Sequence, residues 1–162
     1  MVLSTGYHAG VTKSARRVAF QLSQLGAFAG ARFSAAVAPL GLSAAEAGVL
    51  RLLARSPGIS QRALAARLGA VPSRVVVLID SLEKEGLVVR RRSATDRRNH
   101  ELLLTESGGE TLTRLRGVAE RHERDLLAPL TATERTQLAD LLDKLTRGHG
   151  LDPDVHPGQA SG

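Results

Sequence analysis

Residues 60–92, SQRALAARLGAVPSRVVVLIDSLEKEGLVVRRR, decide the fold. Ser60 offers a hydroxyl to the free amides of a short helix, QRALAARL, which Gly69 breaks after little more than two turns. Pro72 suits the first position of a second helix, PSRVVVLIDSLEKE, and Gly86 ends it. Val75, Leu78, Ile79 and Leu82 recur at helical spacing and read as core. Val76 and Val77 cannot join them, because three adjacent positions span too much of a helix's circumference. A three-residue turn joins the two helices, which is the pattern of a helix-turn-helix, whose second helix projects into a groove about as wide as itself.

Immediately downstream, LVVRRR and NHELLLT are apolar or β-branched runs separated by SATDRR, so they read as a hairpin with a polar tip. Arg90, Arg91, Arg92, Arg97 and Arg98 crowd this hairpin. Such a run by itself reads equally as a solvated face. Following a helix-turn-helix, it makes a winged helix: the tip guanidiniums reach a narrow, negative minor groove, and those at the hairpin base meet phosphates. Arg91 points opposite to Arg90 and Arg92 on a regular strand, so one of these two sets faces the protein.

Upstream, Val18, Leu22, Leu25, Ala29, Phe33 and Ala36 lay an apolar stripe along a helix over about 13–37, ended by Pro39 and Gly41. Gly26 and Gly30 within it weaken the helix, a cost that close approach of another helix would offset. Ser43 with Glu46 forms a capping box for AAEAGVLRLLARS, which Pro57 and Gly58 stop. Thr105 caps a helix to about 127, and Thr131 with Glu134 opens another, on which Leu138, Leu141, Leu142 and Leu145 share a face. The remainder, rich in Gly and Pro, reads as a disordered tail. The expected fold is mainly α with a small β-hairpin wing. Its divisions are an N-terminal dimerisation helix (1–38), a winged helix-turn-helix (39–105), C-terminal dimerisation helices (106–147) and the tail (148–162).

Composition narrows the function. The 162 residues suit one domain with an oligomerisation arm. Only 2% are aromatic and Trp is absent, so the core is aliphatic and a stacking platform for single-stranded nucleic acid lacks material. The net charge of +6 is a weak argument by itself, since arginine content also follows coding bias. Its placement says more: residues 60–105 hold nine cations against five acids. Absence of cysteine removes disulfides, thiolate metal sites and a thiol nucleophile.

No run approaches the length of a membrane span. Arg16 and Arg17 before VAFQLSQLGAFA imitate a twin-arginine signal, but Gln21, Ser23 and Gln24 interrupt its apolar part. His122 and Glu123 begin like a zinc-protease helix, yet Leu126 stands where the second histidine belongs, and His149 and His156 lie in the tail. No phosphate loop or nucleophile elbow occurs. The expectation is therefore a cytoplasmic, nucleoid-associated DNA-binding regulator with no cofactor and no metal. A helical protein-interaction module and, last, a small enzyme are the alternatives.

Four fragments in ungapped order, LSAAEAGVLRLLARSPGISQRALAARLG, LIDSLEKEGLVVRR, the wing triplet Asp96-Arg97-Arg98, and LLLTESG, resemble the multiple antibiotic resistance regulator (MarR) family over nearly the whole chain. The resemblance implies a homodimer formed by the first and the last two helices. It also implies binding of a pseudopalindromic double-stranded operator, with repression relieved by a small aromatic or anionic effector. Lack of cysteine removes the family's oxidation-sensing branch.

Carried over by residue, Arg98 resembles the wing arginine of the minor groove, with Arg97 beside it. Asp96 orients the tip or is simply a turn residue. Arg90 and Arg92 resemble contacts to the backbone at the hairpin base. Ser60, Gln61, Arg62, Ser73, Arg74, Val76 and Val77 complete the implied DNA surface. Members often carry arginine at the positions of Val77 and Ser81 and a polar cap at Val71. This chain departs at all three, which moves readout towards Arg74, thymine methyls and the wing. Arg16, Arg17, Phe20, Arg51 and His100 are the implied candidates for the effector pocket.

Overall fold

The computed structural model describes residues 18–92 and 100–151. Helix α1 (Val18–Val37) runs into a 3-10 turn (Ala38–Leu40), closed by Gly41 at φ 74°, a conformation that favours glycine. There follow α2 (Ala44–Arg55), α3 (Gln61–Leu68), α4 (Pro72–Lys84), the hairpin β1 (Val88–Arg92) and β2 (His100–Leu104), then α5 (Glu106–Leu126) and α6 (Ala132–Gly148). The expected order of elements is thus the observed one among the described residues, a helical fold with a two-stranded antiparallel wing.

The caps form as the sequence requires. Ser43 Oγ accepts from the Glu46 amide at 3.2 Å while Glu46 accepts from the Ser43 amide at 2.8 Å, and Thr131 and Glu134 repeat the arrangement at 3.3 and 2.8 Å. Ser60 and Thr105 cap α3 and α5. The end of α6 differs from expectation. Residues after Gly148 still fold: Gly150 turns left-handed and the Leu151 amide donates back to the Thr146 carbonyl, so an ordered cap occupies the start of the anticipated tail. The rest of that tail, from 152 on, lies outside the described residues.

One aliphatic core joins the elements. Leu50 and Leu53 of α2, Leu64 and Leu68 of α3, Val75, Ile79 and Leu82 of α4, Val88, Leu102 and Leu115 are all buried, and truncating one of these leucines to alanine costs about 2–5 kcal/mol. Strand β2 also pairs outside the hairpin. Gly58 donates to the Leu102 carbonyl and Leu102 to that of Ile59, each at 3.0 Å, so the segment before α3 is stitched to the wing. The wing is anchored below as well. Thr105 donates from its amide to the Leu87 carbonyl, and its hydroxyl donates to that of Gly86. Gly108 sits so close that a Cβ there would lie 2.1 Å from the Leu87 oxygen.

The apolar stripe of α1 divides in two. Phe33, Ala36 and Val37 pack on the core, whereas Val18, Leu22, Leu25 and Phe28 stay exposed, as do Leu141, Leu142 and Leu145 on α6, which buries no residue. Among the described residues nothing lies within 4 Å of a Cβ built on Gly26 or Gly30, so no helix packs tightly on them there. No single helix among the described residues is long and apolar enough to cross a membrane.

Candidate nucleic-acid interface

Gly69, left-handed at φ 58°, lets the chain turn from α3 into α4. Val75, Ile79 and Leu82 fix the inner face of α4, and the opposite face presents Ser73, Val76, Val77, Asp80 and Lys84 to solvent. Val71 precedes the helix without a capping side chain. Arg62 on α3 and Arg91 and Arg92 on β1 are exposed as well. Arg74, expected as a base contact, is half-buried and engaged within the protein. Ser60 uses its hydroxyl oxygen to cap α3, and Gln61 beside it is half-buried.

Arg90 requires a correction. Expected as a contact to the DNA backbone, it turns inward onto α4. Its guanidinium donates to Asp80 Oδ1 at 2.5 Å, to the Glu83 carboxylate, and at 3.5 Å to Gln61 Oε1, while its backbone amide donates to Glu83 Oε1 at 3.3 Å. Burial works against the Arg90 charge, but Asp80 and Glu83 outweigh it and hold its pKa above the ordinary arginine value. Arg90 alone of the three strand arginines faces inward, since Arg92, on the same side of a regular strand, stays exposed with Arg91. Val88 is buried, Val89 exposed, and Arg90 returns to the protein side, where two carboxylates on successive turns of α4 meet it.

Two further polar side chains are committed inward. Arg67 donates to Ser56 Oγ at 2.6 Å, binding α3 to the end of α2. Ser81 is half-buried and hydrogen-bonded to the Glu46 carboxylate. Burial tends to raise the Glu46 pKa, and the bonds from the Ser43 amide and the Ser81 and Ser43 hydroxyls more than reverse this, leaving it below the usual carboxylate range. Asp96, Arg97 and Arg98 lie outside the described residues.

A second concavity lies between α1, α2 and α5, a cleft of about 790 Å³. Phe33 and His122 form one wall, their rings 5.6 Å apart and inclined at 57°, and Arg51, Arg116 and Glu120 reach its edge. Of the residues expected at an effector pocket, Arg51 lines this cleft. Phe20 and His100 do not line this cleft: Phe20 is on the outer part of α1, 62% exposed, and His100 is on the wing. Arg16 and Arg17 fall outside the described residues. Phe33, His122 and Arg116 were not anticipated. A signal for one of them existed, since Phe33 belongs to the α1 stripe.

Residues 40–99 match the model of the MarR family. The repressor Rv2887 of Mycobacterium tuberculosis is 32% identical over 126 residues, 78% of this chain and 91% of that protein. The chain belongs to the MarR family. A Thauera aromatica protein assigned to regulation of the hcr operon is 38% identical over 106 residues, 65% of this chain, which spans 64% of that relative's length. Rv2887 solved with salicylic acid superposes at a TM-score of 0.67 with 32% identity, covering 79% of this chain and 95% of that one.

CouR of Rhodococcus jostii, solved with p-coumaroyl-CoA, gives 0.68 at 30% identity over 81% of this chain and 92% of its own. CouR on a 23-mer DNA duplex gives 0.74 at 33% identity, covering 86% and 99%. This MarR-family chain is accordingly a winged-helix transcriptional regulator. Its departures at Val71, Val77 and Ser81 acquire a structural meaning: the first two are open to solvent, and Ser81 serves the Glu46 carboxylate rather than the outer face.

Proposed function

We propose that this regulator binds a pseudopalindromic duplex operator as a homodimer, represses from it, and leaves it when a small aromatic acid or acyl compound occupies the cleft. The observation that carries the DNA reading is the outer face of α4, which no part of the described chain covers and which exposed Arg62, Arg91 and Arg92 accompany. A protruding helix with cations beside it suits a major groove bounded by phosphates. The similarity to CouR in its DNA complex supports that orientation.

The exposed apolar residues of α1 and α6 support self-association, because contiguous apolar surface of that kind marks an interface. In this reading residues 1–38 and 106–147 form the dimerisation part and residues 39–105 the DNA-binding part. The cleft pairs an aromatic wall with arginines at its edge, which suits a ring carrying a carboxylate or thioester. Salicylic acid on Rv2887 and p-coumaroyl-CoA on CouR are compounds of that kind. We place the protein in the cytoplasm at the nucleoid, where its operator would be.

Anisotropy of the full-length protein against duplex from upstream of its own coding region tests this. Sequence-selective binding that salicylate or an aryl-CoA thioester reverses is the expected result. Equal affinity for scrambled duplex, or no association at all, would remove the regulator's proposed operator.

A further inference from the structure

From Val71 to Asp80 the exposed residues are Val71, Pro72, Ser73, Val76, Val77 and Asp80, and none of them is a cation. The chain thus presents apolar side chains on the exposed side of the N-terminal part of this helix. Val77 is 67% exposed and Val76, adjacent on the helix, 38%. This is locally unfavourable on two counts. β-branched side chains are poor helix formers, and their methyls lie in water. The N-terminal half of α4 would be better served by alanine or lysine unless something covers these methyls.

Resting on the duplex-binding reading above, we infer that the operator base pairs facing Val76 and Val77 are read through the C5 methyl groups of thymines. Each base offers a distinct edge in the major groove: guanine two acceptors, cytosine a donor, adenine one of each, and thymine an acceptor beside a methyl. Valine can engage only the methyl. Of the side chains that could read the other edges, Asp80 already accepts from Arg90 through Oδ1, and Arg74 is half-buried and has a partner within the protein. Ser73 remains, one helical turn before Val77 on the same face, with a hydroxyl able to reach the O4 of a thymine or the edge of its neighbour. Between Val71 and Asp80 the exposed residues thus include no bidentate donor for guanine, and specificity there comes from shape and desolvation of methyl groups.

Duplexes selected by the full-length protein from a random pool supply the probe, and replacing thymidine by deoxyuridine deletes the methyl alone, leaving pairing and O4 in place. Selection is expected to return thymine in each half-site at adjacent positions. Uracil there weakens binding about fourfold per methyl, or about 15-fold when the symmetry-related thymine is replaced too. Val77→Ala reduces the penalty at one of those positions, and Val77→Arg, at a site exposed enough to accept it, shifts selection there towards guanine. An unchanged dissociation constant on uracil substitution, or the same penalty in Val77→Ala, overturns the thymine reading while selective binding itself persists. Failure to enrich any duplex, with the helical circular dichroism intact, overturns the duplex reading beneath it.

Discussion

Replacing Arg90 by methionine separates two roles that the sequence cannot tell apart. If Arg90 touched a phosphate, its loss would remove one counterion-releasing contact, lowering the slope of log K against log salt by about 0.9 per protomer, or about 1.8 for a dimer. The structure assigns it instead to Asp80 and Glu83. Both pairs are partly exposed, with side-chain exposures of 23% for Arg90, 57% for Asp80 and 38% for Glu83, so each contributes about 0.2–1 kcal/mol. With the packing of the stem, methionine should cost about 1–2 kcal/mol, a fall in Tm of about 2–8 °C for a chain of this size.

The effect on DNA is indirect. Two uncompensated carboxylates about 10 Å from a phosphate each repel it by about 0.4 kcal/mol in water, reduced to about a third by physiological salt. Affinity should therefore drop only about twofold, with the salt slope held. Adding Asp80→Asn and Glu83→Gln should restore that twofold. Titrations at several salt concentrations, beside thermal melts, decide the matter. A slope reduced by about 1.8 with an unchanged Tm would show the inward clamp to be wrong.

Gly108→Ala should destabilise by about 1–3 kcal/mol in urea unfolding, because its methyl would have to displace the Leu87 carbonyl or move α5. Leu25→Asp, 58% exposed on α1 and remote from the core, should leave the helical signal intact and shift sedimentation to the monomer at micromolar concentration. The Glu46 carboxyl is held below its ordinary range in the folded state, so its contribution is complete above the unfolded value and disappears as pH falls through the folded one. Stability should decline below about pH 4.5 more steeply in the wild type than in Glu46→Gln, whose amide oxygen can still accept from the Ser43 amide but does not titrate.

The elements themselves were legible because their signals are local. Ser43, Ser60, Thr105 and Thr131 announce helix starts through bonds made three residues away, and the Leu and Val spacing marks which faces are buried whatever lies against them. The hairpin, the three-residue turn and the outward position of Val76 and Val77 follow from periodicity in the same way. Contacts between elements were not legible. Strand alternation left open whether Arg90 faced the protein, and the answer came from carboxylates on α4, a separate element whose side chains reach β1 only after both pack on the core.

Ser81 turning to Glu46, Gly58 and Ile59 pairing with β2, and Phe33 meeting His122 in one wall of the cleft all join residues distant in the chain. The sequence by itself determined where helices and strands begin, end and bury a face, since those depend on bonds and spacings within a few residues. Only the tertiary structure decided which charged and polar groups are consumed inside the fold and which remain for a partner, since that depends on distances no local pattern encodes.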